Sequence, residues 1–501
     1  MIRSARIVQS ITVGTANDRG VCPAHLAGIH LACNNGSTSM ATHSGQGLAA
    51  HRTSRRGAVR AGSLGAAAAL GAAALHYTAA QDATPATSQG SGGEGGTLRP
   101  LLSDNPMWEA FGDRALTLTL NRGADFGECM ATVARVGDGN VDDWHREWVA
   151  TADRIAAIGD ACAAAGYDIS AQEAYFRACN YYRSSYFPLY GAPVDPRLVA
   201  AFDRETEVFL KGAALSPFPI EAVEIPFEAM TLPGYLVQVD ESGEPRPTIV
   251  QTNGYDSTIQ EMFFAHVPAA LRRGYNVLLF DGPGQGRNLI KDGLHIRPDW
   301  ENVVTPVIDY ALTRPEIDPA NIALSGWSFG GLLAPRAASF EHRLAALIAD
   351  PGQWDEGPAA VNVLPLSDEQ KAAFPDIDPA VLEPFQEWLE GPDAPAMIKW
   401  ALLQRGYWVN GVDSVYAYVK DMFRYELSSV AMNISCPTFI SHAEADSVAT
   451  YAPELYAAIT APKVLVDFTM AEGAGMHCEA LARTLYDQRM FDWLDGVMGN
   501  G

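Results

Sequence analysis

Cysteine is scarce in this chain. Seven are spread over 501 residues (Cys22, Cys33, Cys129, Cys162, Cys179, Cys436 and Cys478), with no Cys-x-x-Cys pair and no zinc-type spacing. So sparse a set is no disulfide framework; it leaves room for one or two bridges, with Cys129–Cys162 and Cys162–Cys179 as the local pairs. Basic residues are also few, 35 Lys and Arg against 59 Asp and Glu, a net charge of −24. Residues 1–80 hold seven of the Arg, no Lys and one acid, so 28 basic and 58 acidic residues remain beyond them, a net −30. A surface that acidic repels nucleic acid and anionic lipid; it permits cationic substrates without implying them. No Walker pattern and no internal repeat occur.

The Arg-rich start has its own pattern. Arg55-Arg56 and Arg60 precede an uncharged Ala, Gly and Leu run at 61–75, followed by the small residues Thr78-Ala79-Ala80. Fifteen weakly apolar residues are too few to span a bilayer but suit a signal peptide, and the paired Arg suit the twin-arginine type. The expectation is export, to the periplasm or outside the cell, with no membrane insertion after cleavage. If the signal does not function, the stretch is a disordered tail and the protein is cytoplasmic. Signal peptides begin near the initiator Met, and Met40 lies 15 residues before Arg55. Residues 1–39 therefore read as a misassigned upstream extension, 40–80 as the signal and 81–103, rich in Gly and Ser, as a linker.

Residues 104–215 read as a helical N-terminal domain. Trp144, Trp148, Ala152, Ile155, Ile158 and Cys162 recur at spacings of three and four, predicting one long amphipathic helix. Ser170-x-x-Glu173 has the form of a capping box ahead of the next. Residues 216–501 alternate short apolar strands, near 223–227, 235–239, 248–252, 276–281, 322–325, 345–349, 438–442 and 464–468, with helices at about 259–273, 300–312, 330–340, 451–459 and 479–498. That alternation predicts an α/β class: a mostly parallel eight-stranded sheet with an antiparallel start and helices on both faces. It breaks at 363–430, where helical segments follow the sixth strand as an insertion that reads as a lid.

Chemistry enters at Gly326-Trp327-Ser328-Phe329-Gly330, set between a strand and a helix. Gly-x-Ser-x-Gly in that setting is the nucleophile elbow of the α/β-hydrolase fold, which makes Ser328 the candidate nucleophile. A serine hydroxyl needs a base, and the base an acid to orient it, in the chain order Ser, acid, His. His477 follows the last strand in a Gly-rich loop, whereas His266, His295, His342 and His442 occupy ordinary positions. Asp446 is the choice of acid after the 438–442 strand; Glu444 is the rival, two residues nearer. Two backbone N–H groups should hold the oxyanion, that of Phe329 after the nucleophile and that of Tyr255 in the Gly-containing loop after the third strand. Asp281-Gly-Pro-Gly-Gln-Gly286 follows a strand but lacks Gly-x-Gly-x-x-Gly spacing, so it reads as a structural active-site loop rather than a nucleotide cradle. Nothing calls for a cofactor or metal.

The stretch 170–183, with Asn253-Gly-Tyr-Asp256, Phe280-Asp-Gly-Pro-Gly-Gln-Gly286, Gly326-Trp-Ser-Phe-Gly-Gly331 and Gly475-Met-His-Cys478, resembles blocks of the family of 2,6-dihydroxypseudooxynicotine hydrolase and the fungal polyketide-shortening hydrolases. The resemblance covers most of 105–501. It implies a Ser–His–Asp hydrolase whose N-terminal domain helps close the pocket, cleaving either an ester or a carbon–carbon bond beside a ketone in a small, partly aromatic substrate. For the carbon–carbon reaction it also implies an extra pocket carboxylate, with Asp350, Asp355 and Glu356 in the right region. The export signal departs from the intracellular setting of those hydrolases. A peptidase or amidase of prolyl-oligopeptidase type is a weaker alternative, because no propeller-sized region precedes the catalytic part. A binding protein on the same fold is the third. Oligomeric state, a homodimer included, is open.

Overall fold

The computed structural model describes residues 100–499 apart from Ser447 and Thr450. The upstream extension, the signal and all of the linker before residue 100 lie outside the described residues. Residues 101–103, expected as linker, are pinned to the first helix: the Glu109 carboxylate accepts the backbone N–H groups of Leu101 (2.5 Å), Leu102 (2.9 Å) and Ser103 (2.8 Å).

Five helices follow, α1 Pro106–Thr117, α2 Phe126–Val136, α3 Val141–Ala164, α4 Asp168–Tyr186 and α5 Pro196–Ala213. Asn140 and Asp143 cap α3 reciprocally, satisfying its first free N–H groups. Trp144, Trp148, Ala152 and Ile155 are buried as the periodicity predicts and Cys162 packs half-buried against the same core, but Ile158 is 43% exposed. The Ser170–Glu173 box is not used. Gly166 adopts φ +77°, ends α3 and turns the chain straight into α4 at Asp168. The five described cysteines are all free, and neither local bridge forms. Cys129 and Cys179 are instead buried among apolar side chains.

All eight strands are present: β1 Ile220–Phe227, β2 Met230–Val237, β3 Arg246–Thr252, β4 Asn276–Phe280, β5 Ile317–Trp327, β6 Ala346–Asp350, β7 Thr438–Ala443 and β8 Lys463–Phe468. They lie in the order β1-β2-β4-β3-β5-β6-β7-β8, with β2 antiparallel to both neighbours and β3 to β8 parallel. β4 and β6 are buried along their whole length, which is why they read as unbroken apolar runs. Helices α6 Ile259–Leu271, α7 Glu301–Ala311, α8 Gly330–Ala338, α9 Ala452–Ala458 and α10 Arg483–Met498 follow β3, β4, β5, β7 and β8. The last, expected from 479, starts at Arg483, because Cys478 (φ +56°) and Glu479 (φ +47°) hold a separate turn.

The insertion between β6 and β7 begins before 363, with a helix at Glu356–Asn362. One continuous helical run then passes from Ala396–Lys399 through a π segment, Trp400–Gly406, into Tyr407–Asn410. Leu389, Ile398 and Val419 give the insertion its own apolar cluster. Trp400 leaves that cluster to pack on Phe111 of α1 (4.8 Å between ring centroids) and on Phe187 (4.7 Å). Its indole N–H donates to the Phe187 carbonyl at 3.0 Å. Helical region and lid thus meet above the carboxyl ends of the strands. Among the described residues no helix is long and apolar enough to cross a membrane.

Candidate active site

Ser328 stands at the end of β5 in the left-handed region, φ +58°. A side-chain-bearing residue there is strained, and the surroundings hold it in place. Its N–H donates to the Asp350 carbonyl (2.7 Å), and its carbonyl accepts from Gly331 N–H (2.7 Å) and Gln353 Nε2 (2.6 Å). The glycines follow from close approach: a Cβ on Gly326 would lie 1.9 Å from the Gly330 carbonyl oxygen, and one on Gly331 1.9 Å from that of Pro351. Neither position admits another residue.

Ser328 Oγ lies 2.9 Å from His477 Nε2, and His477 Nδ1 lies 2.8 Å from Asp446 Oδ2. The other Asp446 oxygen accepts the N–H groups of Val448 (2.8 Å) and Ala449 (3.1 Å). Burial alone would raise the Asp446 carboxyl; the facing His477 and those N–H groups outweigh it and hold the pKa below the usual range. Burial alone would lower His477, and Asp446 overrides it, so the imidazole ends above its ordinary value. Glu444, the rival acid, is turned away and accepts the Met470 N–H at 2.7 Å. The four other histidines considered from the sequence lie elsewhere: His295 on the Trp408 carbonyl, His342 on Ser435, His442 on Asp467, and His266 half-buried beside Arg483.

The loop after β3 lies against Ser328, since a Cβ on Gly254 would meet Ser328 Cβ at 3.0 Å. The Tyr255 ring packs edge-on against that of Phe329, 5.4 Å between centroids. Two buried glutamines hold the peptides that bear the Tyr255 and Phe329 N–H groups. Gln285 Nε2 donates to the Asn253 (2.8 Å) and Gly254 (3.1 Å) carbonyls, while Gln353 holds the Ser328 carbonyl. Because a trans peptide points its C=O and N–H in opposite directions, each glutamine also fixes the direction of the N–H that follows. The 281–286 loop is structural, as expected: Asp281 Oδ1 accepts Asn253 Nδ2 at 2.6 Å, and Gln285 belongs to it. Its motif was visible in the sequence, but its partner was not.

The three carboxylates singled out after β6 do not share a role. Asp350, whose carbonyl accepts the Ser328 N–H, is paired with Arg483 at 2.7 Å. Asp355 accepts the backbone N–H groups of Leu427 and Ser428. Glu356 is half-buried, and burial together with Asp355 pushes its carboxyl up to about 8. None of them lines the cavity on which Ser328 and His477 open. That cavity holds roughly 170 Å³ and is walled by Phe111, Phe187, Trp327, Met397, Trp400 and Met476. Arg114, Asp256 and Arg405 also reach it, and sequence reasoning missed all three as a group. Among the described residues no cluster of His, Cys, Asp or Glu could hold a metal ion.

Residues 253–485 match the alpha/beta hydrolase family. Over 408 residues, 74% of this chain and 92% of the relative, the chain is 33% identical to "Hydrolase acrC" of Aspergillus aculeatus. The chain belongs to the alpha/beta hydrolase family. A second relative of this alpha/beta hydrolase is "20-hydroxy-prefusarin hydrolase FUS2" of Gibberella moniliformis, 33% identical over 407 residues, 75% of this chain and 93% of the relative. The crystal structure of 2,6-dihydroxy-pseudo-oxynicotine hydrolase has the same fold, with a TM-score of 0.60 over 76% of this chain and 95% of that one, at 24% identity. The resemblance read from the sequence blocks therefore holds, and the chain is a hydrolase.

Proposed function

We propose that this hydrolase cleaves an ester, or a carbon–carbon bond beside a ketone, in a small and partly aromatic substrate, through Ser328, His477 and Asp446. The observation that carries the reading is the unbroken chain from Ser328 Oγ through both His477 nitrogens to Asp446, opening on an aromatic-walled cavity. Ser328 Oγ attacks the carbonyl carbon while its proton passes to His477 Nε2, and Asp446 stabilises the imidazolium that forms. The negative oxygen is met by the N–H groups of Phe329 and Tyr255. Collapse breaks the bond to the leaving group, and His477 returns the proton to the departing alkoxide oxygen or enolate carbon. Water, deprotonated by His477, then attacks the acyl-serine and releases a carboxylic acid. The cover formed by helical region and lid favours a small substrate over a polypeptide.

The test is mass-spectrometric product analysis on aryl esters, aryl amides and aryl 1,3-diketones, with Ser328→Ala alongside. Serine-dependent acid release from a diketone would establish the carbon–carbon reaction, and turnover confined to esters would make the protein a carboxylesterase. Product formation undiminished in Ser328→Ala would sink the triad.

A further inference from the structure

Five charged side chains meet where α1, α4, the loop after β3, the start of α6 and the lid converge beside the cavity. Arg114 of α1 spends its guanidinium on Glu261 (Nε 2.6 Å, NH2 2.8 Å) and on Asp256 Oδ1 (2.8 Å). Arg183 of α4 reaches Glu261 at 2.9 Å and the Asp256 carbonyl at 3.0 Å. From the π segment of the lid, Arg405 donates NH1 to Asp256 Oδ2 at 2.6 Å. Three guanidinium groups face two carboxylates, so the cluster keeps one positive charge in excess. Glu205, which feels both Arg183 and Glu261, is pushed up to about 8 by burial and does not cancel it at neutral pH.

Arg405 is where the excess faces the cavity. It gives one N–H to Asp256, and its Nε is buried without an acceptor. The guanidinium carbon lies over the Trp400 ring (4.8 Å) and the Tyr255 ring (5.2 Å). Asp256 is shared between Arg114 and Arg405, so the cluster's charge is only partly balanced, and a carboxylate arriving from the cavity would complete the balance. A planar, delocalised fork of this kind suits a carboxylate better than a point charge does. π segments inside α-helices also recur at functional sites.

We propose that Arg405, backed by Arg114, is the binding point for a carboxylate on the substrate, so that this hydrolase acts on aromatic or unsaturated acids. The proposal rests on the reading of Ser328 as nucleophile and adds the substrate's charge to it. Gly254 abuts Ser328, and Asp256 is two Cα steps further on, each about 3.8 Å. The anionic group then stands on the order of 10 Å from the scissile carbonyl, a separation of a ring or a short chain. The protein's net charge of −24 repels anions at long range, so recognition falls to this short-range contact.

The test compares 4-nitrophenyl hexanoate with mono-4-nitrophenyl adipate, of equal chain length, on the full-length chain, Arg405→Gln and Arg405→Lys. Wild type is expected to favour the half-ester in kcat/KM. Arg405→Gln should lower that ratio by about 10- to 100-fold, the range of a charge-assisted hydrogen bond, and Arg405→Lys should restore part of it. An equal loss on both esters would make Arg405 a latch for the lid and overturn the proposal. Calorimetric binding of 4-phenylbutyrate and its amide to Ser328→Ala separates the two readings. A carboxylate preference abolished by Arg405→Gln supports the site even if Ser328 proves dispensable for turnover, whereas equal binding of acid and amide overturns it.

Discussion

Replacing Gln285 by Ala tests whether the proposed oxyanion-binding N–H groups are aimed by their carbonyl side. Gln285 is buried and makes three hydrogen bonds: Nε2 to the Asn253 and Gly254 carbonyls, and Oε1 from the Gly282 N–H at 2.9 Å. Without it, the Gly254–Tyr255 peptide loses the contact that sets its rotation, while the Tyr255 N–H itself survives. Deleting an oxyanion donor outright costs about 10²–10³ in kcat. A donor that is kept but released should cost less, on the order of 10- to 100-fold, or about 1.4–2.7 kcal/mol at 1.36 kcal/mol per decade. KM should change by less than about threefold, because the ground-state carbonyl makes little demand on the hole. The assay is steady-state kinetics on an aryl ester, paired with inhibition by an aryl boronic acid, whose tetrahedral adduct carries the charge. Boronate affinity should fall in step with kcat, while binding of a neutral product analogue holds. Gln353→Ala, on the Ser328–Phe329 peptide, should behave in the same way. A fall in kcat below threefold with an unchanged melting temperature would refute the reasoning. So would equal weakening of boronate and neutral analogue.

The acid limb of kcat/KM should lie above pH 6.5, because only the neutral imidazole accepts the Ser328 proton and the folded His477 holds its own proton more tightly than a free one. The stability gained from that raised pKa is full below about 6.5 and fades as pH rises through the folded value; the share from the lowered Asp446 is present above 3.8 and is lost as pH falls through its folded value. Asp446→Asn should lower kcat by about 10⁴ and move the limb to lower pH, and a pH–rate profile with an unmoved limb would contradict the pairing. Asp281, lifted to about 7 by burial, keeps a proton that the unfolded chain releases near 3.8. The contribution of this group to folding stability should therefore decline from about pH 4 to 7, by at most about 1.4 kcal/mol per unit. Urea melts of Asp281→Asn at pH 5 and 7 should show that slope reduced, and a slope equal to wild type would assign the decline elsewhere.

The eight strands were legible because buried parallel strands are apolar along their length, and the elbow because two glycines flank a serine where a strand passes into a helix. His477 was legible by its place in chain order. The choice of Asp446 over Glu444 could be argued from the sequence, but both sit in one short turn. What separates them is that Asp446 turns inward to two backbone N–H groups and the imidazole, and Glu444 outward to Met470. The misplaced helix starts, at Ser170 and Glu479, share a cause. Both follow backbone reversals at positive φ: Gly166 turns the chain so that the helix has begun by Asp168, before Ser170, and Cys478 and Glu479 hold a separate turn that delays the last helix to Arg483.

The sequence by itself determined the sheet and the candidate nucleophile and base, because short apolar runs, period-3.6 patterning and a five-residue elbow are local properties of the chain. Only the tertiary structure decided the surroundings of the site. Gln285 lies 31 residues from Gly254, and Arg114 and Arg405 lie 142 and 149 from Asp256. Each is an unremarkable polar residue in its own segment. Their chemistry arises where a helical region, a strand loop and a lid are folded together out of water, and burial turns ordinary amides and guanidinium groups into fixed dipoles and an uncancelled charge.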